Sequence, residues 1–277
     1  MAKTVGDRLW EMLISAGVRR CYGIVGDASN PVIDAMRRNG GIDFVHVRHE
    51  EYGAFAAVAE ARLTGQPVAV CGTAGPGAVH LINGMIDARR EGVPLIVLAG
   101  DTDSSLLDSQ TIEENNPYQF FQSSAVYIAR LVNPEQLRTV VTSALSMAVS
   151  VGGPSVISIP GDVAAADAPD YHEGHFRVNL PRIPRPAASA EVLADIADAI
   201  NQAETVAIFG GYGCIDAAPD VRALAEKLNA PVGYSLPSPV ATSSKMSTSW
   251  SSTPRSKSPA PGRSSLRRGA TCWTSVT

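Results

Sequence analysis

Residues 67–101 read PVAVCGTAGPGAVHLINGMIDARREGVPLIVLAGD. Pro67 to Cys71 is an apolar run of strand length, a Gly-rich turn follows, residues 77–90 repeat apolar positions at helical spacing, and Pro94 to Ala99 is a second apolar run. Strand, helix and strand in so short a span form a βαβ unit. Its crossover helix returns the chain to the end at which it started, so the two strands lie parallel.

The same alternation extends outward from this unit. Toward the N-terminus lie helix 4–16, strand Cys21 to Val25, helix 30–39, strand Phe44 to Val47 and helix 51–64. Toward the C-terminus come a long polar loop, helix 134–149 and strand Ser155 to Pro160. Strands alternating with helices predict an α/β fold over residues 1–180: a three-layer, mostly parallel sheet with helices on both faces. Ligands of such sheets sit beyond the carboxyl ends of the strands, which directs attention to the loops after Val25, Val47, Cys71 and Ala99.

Residues 181–189, with Pro181, Pro184 and Pro186, read as a linker. A second α/β unit starts at 190–236, with helix 190–202, strand Thr205 to Phe209, a turn at 210–213, helix 216–228 and strand Pro231 to Ser235. One βαβ start cannot bury both faces of a sheet, so this second domain reads as incomplete. From Pro237 the composition changes abruptly. Residues 237–277 hold twelve Ser, six Thr and five Pro, with six Lys or Arg and no acidic residue. Such a segment cannot offset its ordering entropy and is expected to be a disordered tail. Because it interrupts a domain whose first strands have just been laid down, a reading-frame change near residue 236 is the expectation, and the chain reads as truncated. The same frame recurring in independent clones would remove that reading.

Residues 1–236 carry 17 Lys or Arg against 27 Asp or Glu, while the whole chain has a formal charge of −4. A hydrophobic share of 45% with 18% charged residues is that of an ordinary globular protein. The N-terminal helix is amphipathic and lacks a signal-peptide core, so a cytoplasmic chain is expected. No apolar run approaches the ~18 residues of a membrane span. Cys21, Cys71, Cys214 and Cys272 are scattered, without zinc or disulfide spacing. The basic tail lacks the interleaved aromatics and amphipathic period of a nucleic-acid or membrane binder. No Gly-x-Gly-x-x-Gly follows the first strand, which argues against a nicotinamide dinucleotide fold.

Three strand-to-helix loops carry candidate chemistry. Arg48-His49-Glu50-Glu51 opens an Ala-rich helix, where a carboxylate is stabilised by orphan N–H groups and can be simply a helix-end charge. Val70 to Gly77 includes the Gly-rich loop Gly72-Thr73-Ala74-Gly75-Pro76-Gly77, either a packing turn or a close approach to a ligand. Gly23 to Pro31 is similar, and Ser29 or Asn30 can cap the helix that follows. His46, His80, His172 and His175 show no metal-ligand spacing and read as polar surface or linker positions, so no metal ligand is assigned to this chain.

In this order, the loop at 23–31, RHEE at 48–51, GTAGPG at 72–77 followed by His80-Leu81-Ile82-Asn83-Gly84, VPLIVLAGD at 93–101 and GGPSVISIPGDV at 152–163 resemble the pyrimidine-binding domain of thiamine-diphosphate enzymes. The resemblance covers roughly residues 4–236 and is strongest to the pyruvate oxidase and quinone-dependent pyruvate dehydrogenase branch, then to acetolactate synthase. It implies that Glu50 hydrogen-bonds the pyrimidine ring nitrogen of the cofactor and exchanges a proton with it. An apolar wall from Phe44, Val45 and the Ala-rich helix would suit that role. It further implies cofactor-side positions at Gly26, Asp27, Thr73, Gly75, Pro76, Gly77 and Asn83, and a solvent-facing or helix-end role for Glu51. Phe120, Phe121 and Gln122 resemble the substrate-side loop, although Ser123 stands where the family commonly has an acidic residue. Gly211 and Gly213 resemble the first loop of the middle domain, which holds FAD in the oxidase branch.

The resemblance also implies what else is needed. In the family the diphosphate is held through Mg2+ by a domain with Gly-Asp-Gly followed by Asn-Asn, and no Gly-Asp-Gly occurs in this sequence. The expected function is therefore the cofactor-binding part of an enzyme decarboxylating a small 2-keto acid, pyruvate foremost, as a homodimer or homotetramer with the diphosphate-binding domain supplied in trans. The alternatives are the pyrimidine-domain subunit of a two-chain decarboxylase or acetolactate synthase-like enzyme, and a noncatalytic dimerising module.

Overall fold

The computed structural model describes residues 2–183, 186–214 and 216–234. The chain divides between residues 184 and 185 into two compact units. The first contains α1 (Val5–Ser15), β1 (Arg20–Gly23), α2 (Asn30–Asn39), β2 (Asp43–His46), α3 (Glu50–Thr64), β3 (Val68–Gly72), α4 (Pro76–Val79) and α5 (Ile82–Glu91). It continues with β4 (Leu95–Asp101), α6 (Pro117–Phe121), β5 (Tyr127–Arg130), α7 (Leu137–Met147), β6 (Pro154–Pro160) and α8 (Gly161–Ala165). All six strands are parallel, in the order β2-β1-β3-β4-β6-β5.

The apolar runs that defined the strands are explained by burial on both faces. Every residue of β3 and β6 is buried, as the centre of a parallel sheet requires. Successive side chains feed two cores. Cys21, Ala69, Cys71, Ile96, Leu98, Ile157 and Ile159 join Leu9, Trp10, Met36 and Val141 from α1, α2 and α7. Val68, Val70, Leu95, Val97 and Val156 join Ala54, Ala57, Met85 and Phe121 from α3, α5 and α6. Trp10 is fully buried, and its Nε1–H donates to the Val32 carbonyl at 2.7 Å, which joins α1 to α2.

The structure differs from the sequence reading at four places, one being the short helix α8 after β6, which the pattern does not predict. The helix expected at 77–90 is broken into α4 and α5 around His80 and Leu81. The long polar loop contains α6 and an edge strand, β5, whose alignment on β6 is extended by bonds from Val126 N–H to Pro154 O and from Leu131 N–H to Ser158 O. The helix expected to reach residue 149 ends at Met147 in a wider turn over Ala148–Gly152, released by positive φ at Gly152 and Gly153. Elsewhere element ends move by up to three residues, as at the strand expected to reach Val25, which stops at Gly23.

The second unit contains α9 (Ala190–Gln202), β7 (Ile208–Gly210), α10 (Ala218–Leu228) and β8 (Val232–Tyr234), with β7 and β8 parallel. Neither α9 nor α10 has a buried residue. The tail expected from residue 237 lies outside the described residues. No described helix is long and apolar enough to cross a membrane.

Candidate functional site

Strands β1 and β3 are neighbours, yet the chain leaves β1 for α2 on one face and β3 for α4 and α5 on the other. The crevice at such a topological switch point is where open α/β sheets bind ligands. The loops after β1, β2 and β3 converge there. A methyl on Gly26 would lie 2.5 Å from Thr73 Cβ, so the first and third loops touch and need glycine at the contact. The Gly26 N–H donates to Ser29 Oγ at 3.1 Å, and the Ser29 hydroxyl donates back to Gly26 O at 2.9 Å, closing the loop on itself.

Glu50 is the first residue of α3. His49 caps that helix, its Nδ1 accepting from the Glu51 N–H at 3.3 Å. Glu50 is only 7% exposed, a costly place for a carboxylate without partners. One oxygen, Oε2, lies 3.0 Å from Nδ1 of His80. The other, Oε1, takes no hydrogen bond among the described residues and is turned toward Gly77, where a methyl would stand 3.3 Å away. Glycine at 77 thus lets the loop after β3 approach an oxygen of the largely buried Glu50 that has an acceptor to offer. Burial, the N-terminus of α3 and one hydrogen bond together fix Glu50 as a directed acceptor, the geometry needed to hold a proton on a ligand nitrogen.

Close packing of α5 on α3 makes this arrangement. A methyl on Gly84 would fall 2.4 Å from Ala54 Cβ, so only glycine permits the approach. That approach brings Asn83 to Glu51, with Nδ2 donating to Oε1 at 2.9 Å. Glu51 and Asn83 are therefore paired with each other at the exposed rim, and Asn83 does not reach Glu50.

Thr73, Gly75, Pro76 and Gly77 lie together on the loop facing Gly26, while Asp27 is exposed beyond it. A cavity of about 480 Å3 opens beside this loop, lined among others by Asp27, Ala74, Asp101, Asp103, Glu113 and Asp162. Glu50 does not line it. Asp101 is buried and engaged, accepting from Arg130 Nε at 2.8 Å and from the Ser158 hydroxyl at 2.6 Å. Burial raises the Asp162 carboxyl, but the hydroxyl and N–H of Ser104 outweigh it and hold the group below the ordinary aspartate value. A wall so rich in acidic side chains disfavours an anion in this cavity.

The three aromatic-loop residues separate. Phe121 is a core side chain beneath β3 and β4, whereas Phe120 and Gln122 are exposed. In the second unit, Gly211 and Gly213 follow β7, and neither lines the apolar cavity of about 120 Å3 enclosed by α9, β7 and α10. That volume is below the roughly 300 Å3 at which cofactor sites begin.

His80, which reads from spacing as a polar surface or linker position, instead lies at the candidate site beside His49 of the RHEE stretch. His80 lies three residues beyond Gly77 and so returns to the side of α4 that faces Glu50; its ring stacks on that of His49 with centroids 4.4 Å apart. The potential ligand atoms of His49, Glu50 and His80 lie within 4.8 Å of one another. Each imidazole has its Nδ1 engaged within the protein, that of His49 at the helix cap and that of His80 at Glu50.

Residues 3–125 match the family model described as thiamine pyrophosphate enzyme, N-terminal TPP binding domain. The chain is 41% identical over 235 residues to an uncharacterized 42.6 kDa protein encoded in the isoamylase 3' region of Pseudomonas amyloderamosa, covering 84% of this chain and 59% of that protein. It is 34% identical over 245 residues to the putative thiamine pyrophosphate-containing protein YdaP of Bacillus subtilis, covering 85% of this chain and 41% of the relative. It is 32% identical over 236 residues to pyruvate oxidase of Lactiplantibacillus plantarum, covering 84% of this chain and 39% of the enzyme. The chain thus spans less than two thirds of the length of these relatives.

Proposed function

We propose that this chain, which belongs to the thiamine pyrophosphate enzyme family through residues 3–125, supplies the pyrimidine-binding side of a thiamine-diphosphate site that decarboxylates a 2-keto acid in the cytoplasm. The observation that carries the reading is the buried Glu50 carboxylate at the switch point, with Oε1 unpartnered beside Gly77. Similarity to a protein named pyruvate oxidase favours pyruvate as the substrate.

Glu50 Oε1 would accept from, and exchange a proton with, the aminopyrimidine ring. Thr73, Gly75, Pro76 and Gly77 would line one side of that ring, with Gly26 and Asp27 on the loop against them. Asn83, by holding Glu51 at the rim, leaves Glu50 as the buried carboxylate of the pair. When bound, the cofactor's thiazolium supplies the electron sink for loss of carbon dioxide. Low exposure of Glu50 keeps competing water from the proton it handles.

The acidic cavity next to this loop is a poor place for a diphosphate. That favours holding the diphosphate and its Mg2+ on a separate diphosphate-binding domain in trans, within a homodimeric or homotetrameric assembly. FAD, suggested by the oxidase branch, would be held at the loop of Gly211 and Gly213 after β7, neither of which lines the small apolar cavity of the second unit. The site is tested by mixing the full chain with a separately produced diphosphate-binding domain, Mg2+, thiamine diphosphate and pyruvate. Carbon dioxide release is expected, and Glu50→Gln is expected to reduce it by at least 100-fold, about the scale of a lost proton-transfer group. Equal turnover by Glu50→Gln would falsify the assignment. Cofactor binding without turnover would point instead to a noncatalytic module.

A further inference from the structure

We propose that His80 is a positioning residue for Glu50, holding Oε2 so that Oε1 alone is presented to the ligand. This rests on the reading of Glu50 given above. A carboxylate oxygen is a hydrogen-bond acceptor, and the proposal assigns the donor role in the 3.0 Å contact to the Nδ1–H of His80. That places His80 in the Nδ1–H tautomer. The His80 side chain is 41% exposed while that of Glu50 is 9% exposed. The contact therefore spans the boundary between the buried carboxylate and solvent, with Nε2 the ring nitrogen not committed to Glu50.

The ring is held from two directions. His80 sits at the break between α4 and α5, where its N–H donates to Pro76 O at 2.9 Å, so its backbone moves with the Gly75–Gly77 loop. His49 stacks on its face with ring planes 29° apart. His49 is itself fixed by accepting from the Glu51 N–H, which gives it the opposite tautomer, with the proton on Nε2.

The test reads the full chain directly. Long-range proton–nitrogen NMR of the histidine rings is expected to show Nδ1–H for His80 and Nε2–H for His49, with the His80 pattern lost in Glu50→Ala. Finding Nε2–H at His80 in the wild type overturns the proposal. A second readout, taken with the separately produced diphosphate-binding domain and Mg2+ present, is exchange of the C2 proton of thiamine diphosphate with deuterium. His80→Ala is expected to slow it roughly tenfold, the scale of one lost hydrogen bond to an ionised group, and His80→Gln, whose amide can still donate, to restore most of the rate. Equal rates in wild type and His80→Ala overturn the proposal. Absence of any acceleration by the wild type rejects Glu50 as the cofactor's partner, while the ring tautomers still decide the His80 contact.

Discussion

The two units have the same local grammar and opposite packing. In the first, β3 is flanked by strands and covered by helices on both faces, and all five of its residues are buried. In the second, β7 and β8 are three residues each, and among the described residues neither of their helices buries a side chain. Both α1 and α9 are amphipathic and well capped. What separates them, among the described residues, is how many neighbours their own unit supplies, because an amphipathic helix is stabilised mainly by burying its apolar face. The α/β pattern is thus evidence for local structure, and the proposed site lies in the unit where that pattern closes into a core.

Trp10→Ala gives this contrast its sharpest test. It removes a fully buried side chain and its bond to Val32, and is expected to cost about 3–5 kcal/mol in denaturant unfolding of the full chain. Leu193→Ala on exposed α9 is expected to change stability by no more than about 0.5 kcal/mol. A comparable loss at both positions would erase the distinction between the units.

A smaller effect is expected at the helix caps. Thr4 and Asp7 cap α1 reciprocally, and Asp7 also accepts from Arg38 at 2.8 Å, whereas Ser189 caps α9 through a single bond from Val192 N–H at 3.3 Å. Burial pushes the Asp7 carboxyl up, but the Thr4 N–H and Arg38 outweigh it and leave the group below its usual value. A carboxyl lowered in the folded state stabilises above its unfolded value and loses that contribution as pH falls through the folded one. Asp7→Ala is therefore expected to cost about 1 kcal/mol at pH 7, with the gap from wild type closing below about pH 4. Urea titrations across that range check it, and a gap independent of pH would contradict the role of the charge.

The same contrast explains what could be read in advance. Val68 to Gly72 and Leu95 to Ala99 were legible because strands covered on both faces must be apolar throughout. Strand β5 was not, since Tyr127 to Arg130 lies at the sheet edge, is mostly half-buried, and ends in an arginine committed to Asp101. The place of Glu50 between a strand and an Ala-rich helix was legible, but that place alone also suits a helix-end charge, and its proposed role came from the resemblance. His80 was not, because its partner lies thirty residues earlier and only the approach of α5 to α3 through Gly84 brings them together. Phe121 shows the reverse, a residue of the aromatic loop that the structure places in the core.

The central claim is that the pyrimidine-binding surface is formed where the loops after β1, β2 and β3 meet. Amide chemical-shift mapping of the isotopically labelled full chain during titration with thiamine diphosphate and Mg2+ tests it most directly. The account predicts that the largest shifts cluster at Gly26, at Glu50 and across Thr73 to Gly77, and that they vanish at those positions in Glu50→Gln. Shifts concentrated instead around Gly211 and Gly213, or none at saturating cofactor, would contradict it.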